Sequence, residues 1–226
     1  MAIRNSISLH QHRGSVIVTD PAAEPISLSD LKGHLRIDDS SEDSYLTDLI
    51  TEAREDVENA SGFALITQTW RLAIDRWPAN KQAWWDGVRQ GSINELNCPS
   101  AFTALNLPKF PLLAVNSVKV YDAESSETDV SVGSTFDIDT IRRPGRMALK
   151  SGQTWPIAIR PTNGIIIEYQ AGFGPDASDV PSPLRRAVRV LASYYYAHRG
   201  DGCDPSDALE ASGAAELIDR YRPRRV

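Results

Sequence analysis

The stretch from Ser41 to Ser61 constrains the fold of this chain more than any other part of its sequence. Apolar residues recur there at helical spacing and so share one face: Tyr45, Leu46, Leu49, Ile50, Ala53, Val57 and Ala60. Acidic residues occupy the opposite face and crowd the first turns, where the helix dipole favours negative charge. Gly62 follows as a natural C-terminal stop. The pattern predicts a long surface helix with one buried side and one exposed acidic side.

A short helix is predicted just before this one. Ser27 and Asp30 have the spacing of a capping box, with Asp in place of the more common Glu. Ile26 and Leu31 are placed to form a hydrophobic staple across the same helix start. We expect this helix to begin at Ser27 and to end near Arg36.

Helices are also predicted near the end of the chain. Ser182 is placed to cap a helix with Pro183 in its first turn, and an apolar stripe continues to about His198. A last helical stretch is expected over about Ala208–Tyr221, weakened by Gly213. A basic tail follows it.

Between these helices the periodicity changes to that of strands. Residues 66–77 alternate, with Gln68, Trp70, Leu72 and Ile74 on one side. Turn residues divide the rest into further strand candidates: Ile93–Cys98, Ala104–Leu107, Val115–Tyr121, Thr135–Ile138, Arg146–Leu149 and Ile165–Tyr169. The predicted fold class is therefore α+β, a helical core with an inserted antiparallel β-domain.

This reading divides the chain into four parts. Residues 1–24 form an N-terminal arm, in which Ser15–Thr19 has the composition of a short strand. Residues 25–64 and 180–200 form the helical core, and residues 65–179 form the inserted β-rich domain. Residues 201–226 form a C-terminal helix and a basic tail suited to docking on a partner.

Composition and charge narrow the class of protein. The chain has 226 residues, a net charge of -6 and 41% hydrophobic residues, enough to bury a core. No apolar run approaches the length of a membrane span, and no secretory signal follows the first residues, so we expect synthesis in the cytoplasm and no membrane partner. The overall acidity also argues against a dedicated DNA-binding domain.

The charge is divided unevenly along the chain. Acidic residues dominate the segment from Asp38 to Glu58, whereas basic residues dominate the segments after Pro181 and at the C-terminus. Solvated helix faces are one explanation, and complementary surfaces for self-association are the other. The second explanation gives candidate subunit-interface residues on both charged helices: Arg185, Arg186, Arg189, Glu52, Glu55 and Asp56.

A pair of tryptophans, Trp84 and Trp85, stands in a polar segment of the predicted β-domain. An exposed pair of this kind is unfavourable unless something covers it. Folding back onto the β-domain is one outcome, and a subunit contact, where tryptophan is enriched, is the other. We therefore add both residues to the interface candidates. A carbohydrate-binding or ligand-binding module remains a third interpretation of exposed tryptophans.

The sequence offers little that points to catalysis. Asp137 and Asp139 would share one face of a strand, yet no third ligand or histidine stands near them in sequence. Cys98 and Cys203 are far apart and lack metal-ligand spacing. Phosphate-binding and nucleophile motifs do not occur in the sequence. We therefore expect no enzyme, no metal and no cofactor.

The order of several short motifs resembles that of phage head–tail connector proteins of the gp6-like family, especially the group related to phiE125 gp8 and gene transfer agent adaptors. The resemblance covers roughly residues 25–200. It rests on Pro25–Asp38, Asp43–Leu46, Gly62, Thr67–Trp70, Leu107-Pro108, Pro111-Leu112, Val115–Val118, Tyr121-Asp122, Trp155-Pro156, Tyr169–Gly174 and Val180-Pro181.

This resemblance implies a structural protein of the virion or phage-like particle, assembled in the host cytoplasm. Such adaptors form a ring, commonly dodecameric, between the portal protein and the stopper or tail. DNA leaves through the channel that the ring surrounds, with no sequence-specific binding. A related neck protein, such as a stopper or tail terminator, is the alternative.

The resemblance also implies that the C-terminal segment reaches the portal. The portal-docking residues would be Leu217, Ile218, Arg220, Tyr221, Arg222, Arg224 and Arg225. We expect residues 208–226 to be disordered in the free protein and to order on the portal. Deleting Leu217–Val226 should then abolish portal binding without unfolding the protein. Part of the acidic helix is expected to line the DNA channel.

Overall fold

The computed structural model describes residues 13–77, 104–199 and 205–221. The strands are β1 (Arg13–Thr19), β2 (Gln68–Ile74), β3 (Leu105–Asn106), β4 (Leu112–Tyr121), β5 (Glu127–Val130), β6 (Phe136–Asp139), β7 (Arg146–Leu149) and β8 (Ile165–Ala171). The helices are α1 (Leu28–Leu35), α2 (Asp43–Ser61), α3 (Val132–Thr135), α4 (Ser182–Ala197), α5 (Pro205–Ala211) and α6 (Ala214–Asp219). A 3₁₀ turn at Ala177–Asp179 precedes α4. The α+β class predicted from the sequence is confirmed.

One hydrophobic cluster lies among the helices. The buried face of α2 meets the apolar stripe of α4, and α1, α5 and α6 add to the same cluster. Its members include Leu46, Ile50, Val57, Leu184 and Leu191, all buried. The amphipathic pattern of α2 therefore acts as predicted, since its apolar side packs into this core.

The start of α1 also follows the sequence prediction. The Ser27 side chain accepts a hydrogen bond from the Asp30 N–H at 3.1 Å, and the Asp30 carboxylate accepts one from the Ser27 N–H at 3.2 Å. Both partners of the predicted capping box are thus present. Ile26 and Leu31, the predicted staple, are both buried in the helical cluster. Arg36 ends the helix in a left-handed conformation.

A second hydrophobic cluster belongs to the strands. A five-stranded sheet has the order β1-β2-β8-β4-β5, and a three-stranded sheet has the order β3-β7-β6. Every pair of neighbouring strands in the two sheets is antiparallel. The predicted buried side of β2, which consists of Gln68, Trp70, Leu72 and Ile74, is buried as expected. β1 lies within the predicted N-terminal arm and pairs with β2 at the edge of the larger sheet.

Several local predictions need correction. Ser182 lies inside α4, and Pro181 stands at the cap position without a side-chain hydrogen bond. Gly213 adopts a left-handed conformation and separates two short helices, so the predicted single helix at Ala208–Tyr221 is in fact broken. β5 and α3 were not predicted, because their polar residues carry no hydrophobic alternation. The candidate strand Ile93–Cys98 lies outside the described residues.

The four-part division of the chain stays a prediction. Within the described ranges, no helix combines the length and the apolar character that crossing a membrane requires.

Candidate assembly surfaces

The contact between the helical cluster and the sheet is built around Glu58. One carboxylate oxygen of Glu58 accepts hydrogen bonds from the Leu65 N–H and the Gln68 side chain, each at 2.7 Å. The other oxygen pairs with Arg54 Nη1 at 3.1 Å. The Glu58 and Arg54 side chains are only 4% and 5% exposed. The prediction of an exposed acidic face is therefore wrong for Glu58, because its partners come from the chain that turns from α2 into β2.

The same network reaches outward through Glu24 and Lys109. Arg54 Nε donates to Glu24 at 2.9 Å, and burial raises the pKa of Glu24 although Arg54 opposes that shift. Lys109 Nζ donates to the Glu58 carbonyl at 3.1 Å and lies 4.9 Å from the centre of the Trp70 ring. Burial lowers the pKa of Lys109. The charged side chains at this junction are thus paired within the chain, so they offer few free charges to a partner protein.

The outer side of α2 remains acidic and exposed. Asp48, Glu52 and Glu55 are exposed, and Glu55 lies 3.3 Å from Arg54 Nη2. Asp56 is half-buried, and its carboxylate accepts a hydrogen bond from the Tyr195 hydroxyl at 2.7 Å. Among the predicted acidic interface residues, Glu52 is therefore the most available to another molecule, whereas Asp56 already connects α2 to α4.

The predicted basic residues lie along one side of α4. Arg186 is exposed, whereas Arg185 and Arg189 are half-buried. The Nε atoms of Arg185 and Arg189 are inaccessible to solvent and have no hydrogen-bond acceptor among the described residues. Arg185 lines a groove of about 370 Å³, together with Glu24, Ser27, Asp30, Thr47 and Ile50, among others. Hydrogen bonds from Ser27 lower the pKa of Asp30, and the positive charges of Arg189 and Arg185 lower it further.

Two of the three consecutive tyrosines near the end of α4, Tyr195 and Tyr196, connect it to α2 and to the residue before α2. Tyr196 donates to Glu42 at 2.7 Å, and Arg199 grips the same carboxylate with two hydrogen bonds of 2.8 and 2.9 Å. The Arg199 guanidinium lies over the rings of Tyr45 and Tyr196. Hydrogen bonds from Arg199 and Tyr196 lower the pKa of Glu42. Sequence reasoning missed this cluster, since Glu42 and Arg199 are too far apart in the chain for spacing to connect them.

Residues 205–221 of the C-terminal segment contain α5 and α6. Ile218 is 1% exposed and packs into the helical cluster, where Leu217 and Tyr221 are also in contact. The expectation that residues 208–226 are disordered in the free protein is therefore wrong for residues 208–221, because α5 and α6 bury apolar side chains against α4. Arg220 is exposed. The docking candidates Arg222, Arg224 and Arg225, and the interface candidates Trp84 and Trp85, lie outside the described residues.

The paired carboxylates of β6 have local structural partners. Asp139 accepts hydrogen bonds from the Ile141 and Arg142 N–H groups at 3.2 Å and from Arg146 Nε at 2.9 Å. These contacts, led by the Arg142 N–H, lower the pKa of Asp139. In residues 13–77, 104–199 and 205–221, no group of three acidic, histidine or cysteine side chains is placed to hold a metal ion.

Comparison with known proteins gives a family match over part of the chain and a fold over almost all of it. Residues 25–136 match the model of the phage gp6-like head–tail connector protein family. No curated protein matches the sequence significantly.

Solved structures resemble the chain over almost its whole length. A chain from the neck of an empty gene transfer agent particle, computed with C6 symmetry, has 24% identity and a TM-score of 0.69, covering 94% of this chain and 97% of that one. A chain from the virion of a native gene transfer agent particle has 24% identity and a TM-score of 0.68, with coverages of 94% and 96%. A chain from the neck of a native particle, computed with C12 symmetry, has 27% identity and a TM-score of 0.61, with coverages of 95% and 96%.

Proposed function

We propose that this chain, whose residues 25–136 match the gp6-like head–tail connector family, is a structural ring subunit in the neck of a tailed phage or gene transfer agent particle. The observation that carries the proposal is the similarity, over 95% of the chain, to a chain in the neck of a native gene transfer agent particle computed with C12 symmetry. The known relatives are structural components of particles. We accordingly expect this chain to act through the shape and charge of its surface and to catalyse no reaction.

A dodecameric ring is the assembly that this similarity favours. A closed ring of identical subunits requires a heterologous contact, in which two different patches of the chain meet. The exposed acidic side of α2 and the basic side of α4 supply two such patches of opposite charge. The ring would stand between the portal protein and the stopper or tail, and would surround the channel through which DNA leaves.

The first test is electron microscopy of particles from a strain that lacks the gene. We expect heads and complete tails that remain separate, because the ring that joins them is missing. Supplying the gene on a plasmid should restore joined particles. Normal joined particles in the deletion strain would remove the protein from the head–tail junction.

The C-terminal segment is proposed to dock on the portal protein. The buried position of Ile218 supports a narrower docking segment than the sequence alone suggested, one that begins at Arg220. Exposed arginine is suited to such contacts because its planar guanidinium can donate two hydrogen bonds at once to acceptor oxygens of a partner. Leu217 and Ile218 would then anchor the base of this segment to the helical cluster.

Deleting Arg222–Val226 tests whether this segment contributes to portal binding and not to the stability of the fold. We expect the shortened protein to keep its melting temperature, and to bind the portal protein about tenfold more weakly or worse, since arginines are frequent interface hot spots. The two affinities are measured by the binding of purified full-length and shortened chains to portal protein immobilised on a surface. The longer deletion of Leu217–Val226 serves as the contrast, because it also removes Ile218 from the core and should lower the melting temperature. Unchanged portal affinity after the short deletion would contradict the docking role.

A further inference from the structure

Two helices each carry a pair of like charges that make no side-chain hydrogen bond or close ion pair within the described chain, and the two pairs have opposite signs. We propose that Arg185 and Arg189 of one copy bind Asp48 and Glu52 of the neighbouring copy. This contact would form the repeated interface of the ring, so the inference rests on the proposed function.

The acidic pair lies on the outer side of α2. Asp48 and Glu52 are four residues apart, so they share one side of the helix, and both are exposed. Neither makes a hydrogen bond or an ion pair with any described residue. The other acids of this helix have partners: Asp43 pairs with Lys32 at 2.7 Å, Asp56 with Tyr195, and Glu58 with Arg54.

The basic pair is equally short of partners. Arg185 and Arg189 are four residues apart on α4, and each has a buried Nε–H without an acceptor in the described chain. The two acids that line the groove beside Arg185 are already engaged, since Asp30 belongs to the capping box and Glu24 accepts from Arg54 and Thr51.

The two pairs match each other in geometry as well as in charge. Residues four apart on a helix are separated by about 6 Å along its axis, so two helices that pack side by side can align both charges of each pair. A guanidinium and a carboxylate form the strongest common hydrogen-bonded ion pair between side chains. The contact joins different surfaces of two copies, which is the relation that closes a ring.

Protein carboxylates fit the basic pair better than DNA phosphates do. Asp30 and Glu24 line the same groove and would repel the continuous charge of a phosphate backbone more strongly than the two separate carboxylates of Asp48 and Glu52. Asp48 and Glu52 are thereby assigned to the subunit contact.

Charge reversal with rescue tests the pairing in the deletion strain. Supplying either Arg185→Glu with Arg189→Glu, or Asp48→Lys with Glu52→Lys, should reduce joined infectious or gene-transferring particles by at least about tenfold, since like charges in contact cost several kcal/mol. Combining all four substitutions restores opposite charges and should recover most of the loss. Arg186→Glu, an exposed residue on the same helix, is the control and should leave the titre unchanged.

The outcomes distinguish this pairing from the proposed function. If the unaltered gene restores joined particles and both reversed pairs do so equally well, the pairing is wrong while the ring function stands. If the unaltered gene is not needed for joining, the ring function itself fails.

Both charge-reversed pairs could lower the titre while the chain with all four substitutions fails to restore it. Cross-linking then tests the pairing directly. A chain with Cys98→Ser, Cys203→Ser, Glu52→Cys and Arg189→Cys should give a ladder of disulfide-linked multimers in oxidised particles. The absence of a ladder would overturn the pairing and would leave DNA contact as the explanation of the arginines.

Discussion

Replacing Glu58 with alanine should destabilise the protein by about 3–5 kcal/mol, because it leaves the buried Arg54 charge without its most buried partner. The substitution also removes the acceptor of the Leu65 N–H and of the Gln68 side chain, both of which are buried. Urea unfolding followed by circular dichroism measures the loss. We expect a lower midpoint with an unchanged slope, since the surface exposed on unfolding stays similar.

Glu55→Ala is the matched control for this substitution. Glu55 also lies beside Arg54, at 3.3 Å, but it is exposed, so its removal should change stability by less than about 1 kcal/mol. Glu58→Gln keeps the shape of the side chain and one carbonyl acceptor, and should fall between the two. Equal effects of Glu55→Ala and Glu58→Ala would show that the buried network contributes no more than a surface ion pair.

Replacing Gly172 with alanine should cost about 3 kcal/mol or more, because the added methyl group meets backbone and the residue has a positive φ. The φ angle is 147°, and a Cβ atom would lie 2.6 Å from Thr67 Cα and N. Neither atom belongs to a flexible side chain that can move aside. Thermal unfolding of the purified variant measures the loss, and a large fraction of insoluble protein is expected during expression.

Comparison of Gly152→Ala with Gly172→Ala distinguishes the effect of backbone strain from that of steric overlap. Gly152 also has a positive φ, of 81°, but no atom lies within 4 Å of its hypothetical Cβ. Its replacement should therefore cost only about 1 kcal/mol, the strain of the left-handed backbone alone. A similar loss for both glycines would mean that the chain near Thr67 can shift to accommodate the methyl group.

The sequence predicted correctly those helices and strands that depend on residues close together in the chain. The 3.6-residue period placed α2, the alternation of Gln68 to Ile74 placed the buried side of β2, and the Ser27–Asp30 spacing placed the start of α1. Each of these depends on residues within a few positions of each other.

Features that depend on distant residues were not predicted. Glu58 looks like one more surface acid of α2 until Gln68 and the Leu65 N–H are brought to it. The order of α5 and α6 depends on burial of Ile218 against α4, which a short and weakly periodic segment does not reveal. The interface residues stay predictions, although the structure indicates which charges the chain already satisfies by itself.

Apart from β1, all strands lie between two segments of the chain that run side by side. The Thr67 N–H donates to the Gly174 carbonyl at 2.9 Å, and the Phe173 N–H donates to the Leu65 carbonyl at 3.3 Å. Units whose two ends lie close together tolerate insertion into another fold. Changes in the strands between these two points can therefore leave the helical cluster in place, provided that Phe110 and Gln68, which contact it, are kept.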